Sequence, residues 1–127
     1  MSKLLWIAAA GAVGSVLRYL VAGYGQRLTS GVFPLGTLVV NASGCLLIGY
    51  VGAVFSGPVL VRDEVRLAVM VGLFGGYTTF SAFGYETFGL LAGRDWSHAA
   101  LNVALSNGIG LFCVWLGYRV AEQVHRT

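Results

Sequence analysis

Long apolar blocks alternate along this chain with short polar clusters. The charged residues gather around Arg27, between Arg62 and Arg66, at Arg94 and Asp95, and at the C-terminus. Between the clusters lie four blocks, 4–23, 36–55, 65–91 and 97–120. Each is near or above the roughly 20 residues that carry a helix across a bilayer. The pattern predicts an all-α membrane protein of four transmembrane helices in a single domain. The third block is long enough to tolerate an interruption. Its neighbours are joined by short linkers that carry helix breakers: "GYGQRLTSGVFPLG" with Pro34, "SGPVLVRDE" with Pro58, and "AGRDWSH".

Composition agrees with this. Of the 127 residues, 57% are hydrophobic and 10% charged, against about 25% charged in a soluble domain. The start, "MSKLLWIAAAGA", imitates a secretory signal, but the apolar pattern runs on through Val21, so it reads as the first span. Cys45 and Cys113 both fall inside spans, where a disulfide framework is not expected and small apolar packing is the ordinary use of a thiol. Four spans put Lys3, Arg62, Arg66, Arg119 and Arg126 on one side and Arg18, Arg27 and Arg94 toward the other, five against three. Lysine and arginine near span ends set orientation. So small a bias sets it weakly, and both orientations are open.

Four helices of this size have little room for a conduit, so activity predicts an oligomer. Gly72 with Gly76, Gly11 with Ser15, and Gly108, Gly110 and Gly117 are small residues that allow helices to approach closely. Polar residues inside spans are costly and usually face a cavity or another helix. Asn41 has Thr37 one turn before it and Gly44 nearly one turn after, and Asn102, Ser106 and Gly110 repeat that spacing in the fourth span. The plain reading of these strips is interhelical hydrogen bonding, and for Asn102, Ser106 and Asn107 a transport role reads equally. The one acidic residue within a span is Glu86. No metal-ligand spacing, catalytic triad, phosphate-cradling loop or basic stripe occurs, so neither an enzyme nor a nucleic-acid partner is expected.

The segment "GLFGGYTTFSAFGYET", Gly72 to Thr87, is written unlike an anchor, being crowded with glycines, hydroxyls and aromatics. Phe80 and Phe83 are three residues apart and share a helix face. An aromatic ring has a positive edge. Two such edges can favour a small anion without carrying a charge, and the Asn41 amide can supply hydrogen bonds to it. Plain packing is the commoner use of phenylalanine.

Taken together, "GTLVVNASG" in the second span and "GLFGGYTTFSAFGYET" in the third closely resemble the Fluc (CrcB) family of fluoride channels, and the resemblance extends over nearly the whole chain, including Arg18 in "GSVLRY". It implies an antiparallel, dual-topology homodimer with two pores along its interface, and passive export of fluoride across the inner membrane of a bacterium. It also implies roles by position. Phe80 and Phe83 match the aromatic pair that faces the ion, Asn41 the polar residue at the pore, and Thr79 and Ser106 hydroxyls along the path. Gly75 and Thr78 match an opening of the third helix whose backbone carbonyls hold a central sodium ion. Arg18 and Glu86 match charged residues near the pore mouths. Two alternatives remain open: a small multidrug-type proton-coupled exporter, whose first-span carboxylate is here replaced by Arg18, and a nonconducting membrane assembly subunit.

Overall fold

The computed structural model describes residues 1–125; Arg126, counted in the charge balance above, lies outside them. Among the described residues every regular element is helical. Helix α1 runs Ser2–Arg27 and α2 Leu35–Ser56. The third apolar block is divided into α3 (Asp63–Leu67), a π-helical stretch Ala68–Leu73, α4 (Phe74–Tyr77) and α5 (Phe80–Ala92). Helix α6 runs Trp96–Val124. All four blocks are long and apolar enough to span a membrane, and the chain is a multi-pass membrane protein.

The helices outrun the apolar blocks, most of all in α1 and α6. Helix α1 runs on through Gly25, which is buried against Gly36, and stops only before Thr29, Ser30 and Gly31, while Ala121, Glu122 and Gln123 are sound helix formers that prolong α6. The connections are tied down by specific bonds. Gln26 donates to the Phe33 carbonyl at 3.1 Å and accepts from the Gly36 amide at 3.2 Å, closing the first linker. Arg66 donates to the Phe55 carbonyl at 2.6 Å and stacks over the Phe55 ring, closing the second. In the third linker Asp95 caps α6 by accepting from the His98 amide at 3.3 Å, and its other oxygen meets the His98 ring at 2.7 Å. That side-chain bond, ahead of the backbone one, holds the Asp95 carboxyl below its ordinary range.

Two seams organise the bundle. Helix α2 lies against α6, and α1 against the π stretch and α4. In the first seam a side chain at Gly49 would collide with the Val114 carbonyl, and one at Gly117 with the Leu46 carbonyl. Gly110 meets Cys45 as Gly49 meets Val114, so α2 and α6 run side by side in the same direction. In the second seam an ideal Cβ at Gly72 would stand 2.7 Å from the Ile7 carbonyl, and one at Gly76 2.5 Å from that of Gly11. Gly72, Gly76, Gly110 and Gly117 thus serve contacts within one copy, whereas the space beside Gly108 is open. Only 6% of the most apolar stretch of α1 is buried. Its outward face, like that of α5, is left to lipid or to another chain.

Candidate ion pathway

The backbone between α4 and α5 is extended. Thr78 has φ −80°, ψ 158° and Thr79 φ −150°, ψ 116°. Extended backbone cannot close the helical ladder, so its polar groups must find other partners. Asn41 supplies them. Its Nδ2 donates to the Thr79 carbonyl at 2.9 Å, and its Oδ1 accepts from the Thr79 amide at 2.8 Å. One side-chain amide thereby pairs both backbone groups of one residue, as a neighbouring strand would. Helix α5 then restarts on a side-chain cap, with Thr79 Oγ1 accepting from the Ala82 amide at 3.1 Å.

The break leaves the carbonyls at the end of α4 without their helical partners, Gly75 and Thr78 among them. In a continuous helix the Thr79 amide would bond Gly75 and the Ala82 amide would bond Thr78; here the first goes to Asn41 and the second to the Thr79 hydroxyl. Gly75 is exposed, and the space where its Cβ would lie is open. The Thr78 carbonyl lies 3.5 Å from the Arg18 guanidinium, and Thr78 Oγ1 turns back to the Phe74 carbonyl at 2.8 Å. From the α2 side Tyr77 is fixed by Ser43, hydroxyl to hydroxyl at 2.8 Å.

A groove of about 310 Å³ opens beside this joint and brings together Asn41, Thr78, Thr79, Phe80, Phe83 and Ser106. The parallel run of α2 and α6 sets Asn41 and Ser106 at one level, and α5 hangs Phe80 and Phe83 over them. The two rings are 5.4 Å apart and tilted by 47°. Phe80 is 81% exposed, so little of its own chain beyond the Phe83 ring covers it. Among the described residues no charged side chain lines the groove. Its donors are few: Asn41 has one N–H committed to Thr79 and one remaining. Ser106 gives its proton to Asn102 at 3.2 Å, and must rotate to offer it elsewhere. Cys45, Ile48 and Asn107 complete the wall. Sequence reasoning left Cys45 and Ile48 out of the site, although Cys45 lies one turn beyond Asn41, and held Asn107 open between helix contact and transport.

Arg18 and Glu86 belong to a second, larger groove of about 700 Å³, with Ser15, Tyr19, Thr37 and Tyr85. Thr79 lines both grooves, so the extended joint is the partition between them. Glu86 Oε1 accepts from the Thr37 hydroxyl at 2.7 Å, while Oε2 is buried with no partner among the described residues. Asn102 is almost fully buried and donates to Thr87 at 2.9 Å, which makes it a tie between α6 and α5. Gly75 lines neither groove.

A four-block helical membrane protein with an uncharged, ring-edged groove at a helix joint belongs to the class of small channels and transporters. The family can be stated. Residues 5–118 match the family model described as CrcB-like protein, Camphor Resistance (CrcB), and the chain belongs to the CrcB family. Among curated relatives, the "Fluoride-specific ion channel FluC" of Geobacter sulfurreducens is 44% identical over 124 residues, covering 98% of this chain and 100% of its own. The protein of the same name from Nitrosococcus oceani is 41% identical over 122 residues, covering 96% and 98%. That from Methylocella silvestris is 40% identical over 124 residues, covering 96% and 95%.

Proposed function

We propose that this chain is a fluoride-selective channel that lets the ion leave the cytoplasm passively. Full-length similarity to proteins named as fluoride channels supports the reading. The observation that carries it is the Phe80 ring, 81% exposed above a groove that holds the Asn41 amide and, among the described residues, no charge. Small anions are demanding to dehydrate, and a positive ring edge with one amide donor attracts them without the tight grip of a cation. A bound ion can then leave as readily as it enters.

The groove is open on one side, and a second copy would supply the missing wall. Antiparallel pairing is consistent with the weak five-to-three charge bias. Such a dual-topology homodimer sets the two interrupted third helices back to back. The carbonyls of Gly75 and Thr78, freed from the helical ladder, are hard oxygen donors and fit a sodium ion. Each carbonyl has a second lone pair, so the Arg18 contact at Thr78 leaves one available. The ion would supply fixed positive charge where the copies meet. Within this scheme Arg18 and Glu86 belong to a vestibule, Thr79 and Ser106 to the path, and the assembly to the inner membrane of a bacterium. The multidrug-exporter alternative lacks its carboxylate on α1.

The decisive measurement is efflux from liposomes loaded with potassium fluoride and reconstituted with purified protein, followed by a fluoride electrode after a potassium ionophore is added. Rapid fluoride release, with chloride retained in a parallel experiment, is expected. Absence of release from well-reconstituted protein would sink the proposal. A C-terminal cysteine tag should be labelled from both sides of the membrane, and one-sided labelling would defeat antiparallel insertion.

A further inference from the structure

The pathway just described uses neither cysteine, yet one of them is part of its wall. Cys45 lines the groove one turn along α2 from Asn41. Across the seam its sulfur lies 3.6 Å from where a Cβ of Gly110 would stand. Gly110 has no side chain, so the space in front of Cys45 is not filled from that position. Cys113 follows Gly110 by three residues and therefore shares its helix face. Side chains on a helix tilt toward its N-terminus, which aims Cys113 at the Gly110 turn, and the register of the seam sets that turn level with Cys45. Both thiols are unbonded and only half-buried.

We propose that Cys45 and Cys113 form a two-sulfur site for a soft, thiophilic cation, set in the wall of the ion groove. Thiolate sulfur selects soft metals over hard ones, and a pair of sulfurs on facing helices suits a two-coordinate ion. With mercuric ion as the probe, each S–H bond is replaced by an S–Hg bond and two protons pass to water. The two thiolate charges cancel that of the metal, so the occupied site is neutral. It acts by volume and by stapling α2 to α6 beside Asn41 and Ser106, which hinders passage of the anion. This effect on transport rests on the channel reading above; occupation of the site does not.

The test has two arms. In the first, purified protein is treated with mercuric chloride, washed with excess free cysteine as a monothiol competitor, and its metal content measured. The expected result is one mercury retained per chain, and none in Cys45→Ala, Cys113→Ala or the volume-keeping Cys113→Val. Two retained per chain, or undiminished retention in any of the three variants, overturns the paired site. In the second, fluoride efflux is compared with and without mercuric chloride in each protein. Mercury is expected to cut wild-type efflux by about tenfold or more by narrowing the groove, and to leave the ratio near unity in Cys113→Ala. Block that persists in Cys113→Ala, or one mercury per chain with undiminished efflux, overturns the placement beside the path. A wild type that never releases fluoride defeats the channel reading instead, and the first arm still decides the site.

Discussion

The two halves of the third membrane segment are made differently on either side of Thr78 and Thr79. Before the joint, the π stretch and α4 bury Ala68, Gly72, Phe74 and Tyr77. After it, α5 buries no residue at all, and Phe80, Tyr85 and Phe88 stand well exposed. The first half is held by backbone-to-backbone approach to α1, which only glycine permits. The second half is held by its entry, through the Asn41 clamp and the Thr79 cap, and by the Asn102–Thr87 bond. One half anchors the joint, and the other is left presenting rings to whatever lies outside the chain. A π turn often marks a functional position, and here it lies on the anchoring side, one turn ahead of the joint.

If that division is real, damage to the anchored half should unfold the protein and damage to the free half should only stop it working. The largest effect is therefore expected from Gly76→Val. The added Cβ meets the Gly11 carbonyl at 2.5 Å, a backbone atom that cannot swing aside. Overpacking of this kind costs about 1–3 kcal/mol or more. Size-exclusion chromatography and thermal unfolding in detergent should show loss of the folded species or a lowered melting temperature. A stable, wild-type-like Gly76→Val protein would break the comparison at its first term.

Phe80→Leu and Phe83→Leu test the other half. Each keeps an apolar side chain and removes the positive ring edge, so the melting temperature should hold while fluoride efflux falls by about tenfold or more, as when a selective ligand is removed from a filter. Efflux at the wild-type rate in both would mean that the rings merely pack.

Asn41 should fall between these outcomes, because it acts on the joint itself. Asn41→Ala strands the amide and carbonyl of Thr79, and unsatisfied buried groups cost about 1–3 kcal/mol each. Both stability and efflux should drop. A variant that loses efflux with unchanged stability would reassign Asn41 from clamp to ligand, and would sharpen the division rather than erase it.

How much of this was open to a reader of the sequence depended on range. The four apolar blocks follow from where Arg27, Arg62, Arg94 and their neighbours fall, because charge is excluded from the bilayer centre residue by residue. Phe80 and Phe83 stand out by local spacing alone. The use of Asn41 does not. Its amide reads as a pair of donors for an anion, and only the register of α2 against the joint reveals that its acceptor and one donor are spent on Thr79. Ser106 carries the same lesson, since its proton is directed to Asn102 by a helix-spaced bond. The π stretch left no mark either: Gly72 within it reads as a small residue for helix contact, and nothing in the chain says that the turn around it is widened. Cys45 escaped as part of the wall because nothing near it in the chain says that Gly110 lies opposite.

The smallest predicted effect concerns Arg18, which reaches the joint from the anchored side. It lies five residues before the end of the first apolar block, about 7.5 Å along the axis at 1.5 Å per residue, but its side chain tilts toward the helix N-terminus and turns away from that end to the Thr78 carbonyl. It faces instead the groove of about 700 Å³ that it shares with Glu86. A fixed cation in a water-filled mouth raises the local concentration of anions and so speeds their entry, an effect that salt screens. The Debye length falls from about 10 Å at 0.1 M to about 3 Å at 1 M ionic strength. Arg18→Gln removes the charge and keeps an N–H for the Thr78 carbonyl. Efflux should fall severalfold in low salt and approach the wild-type rate in high salt. An equal fractional loss at both salt concentrations would show that Arg18 serves the joint as a brace, placing it with the anchored half; no loss at low salt would remove it from the vestibule's work altogether.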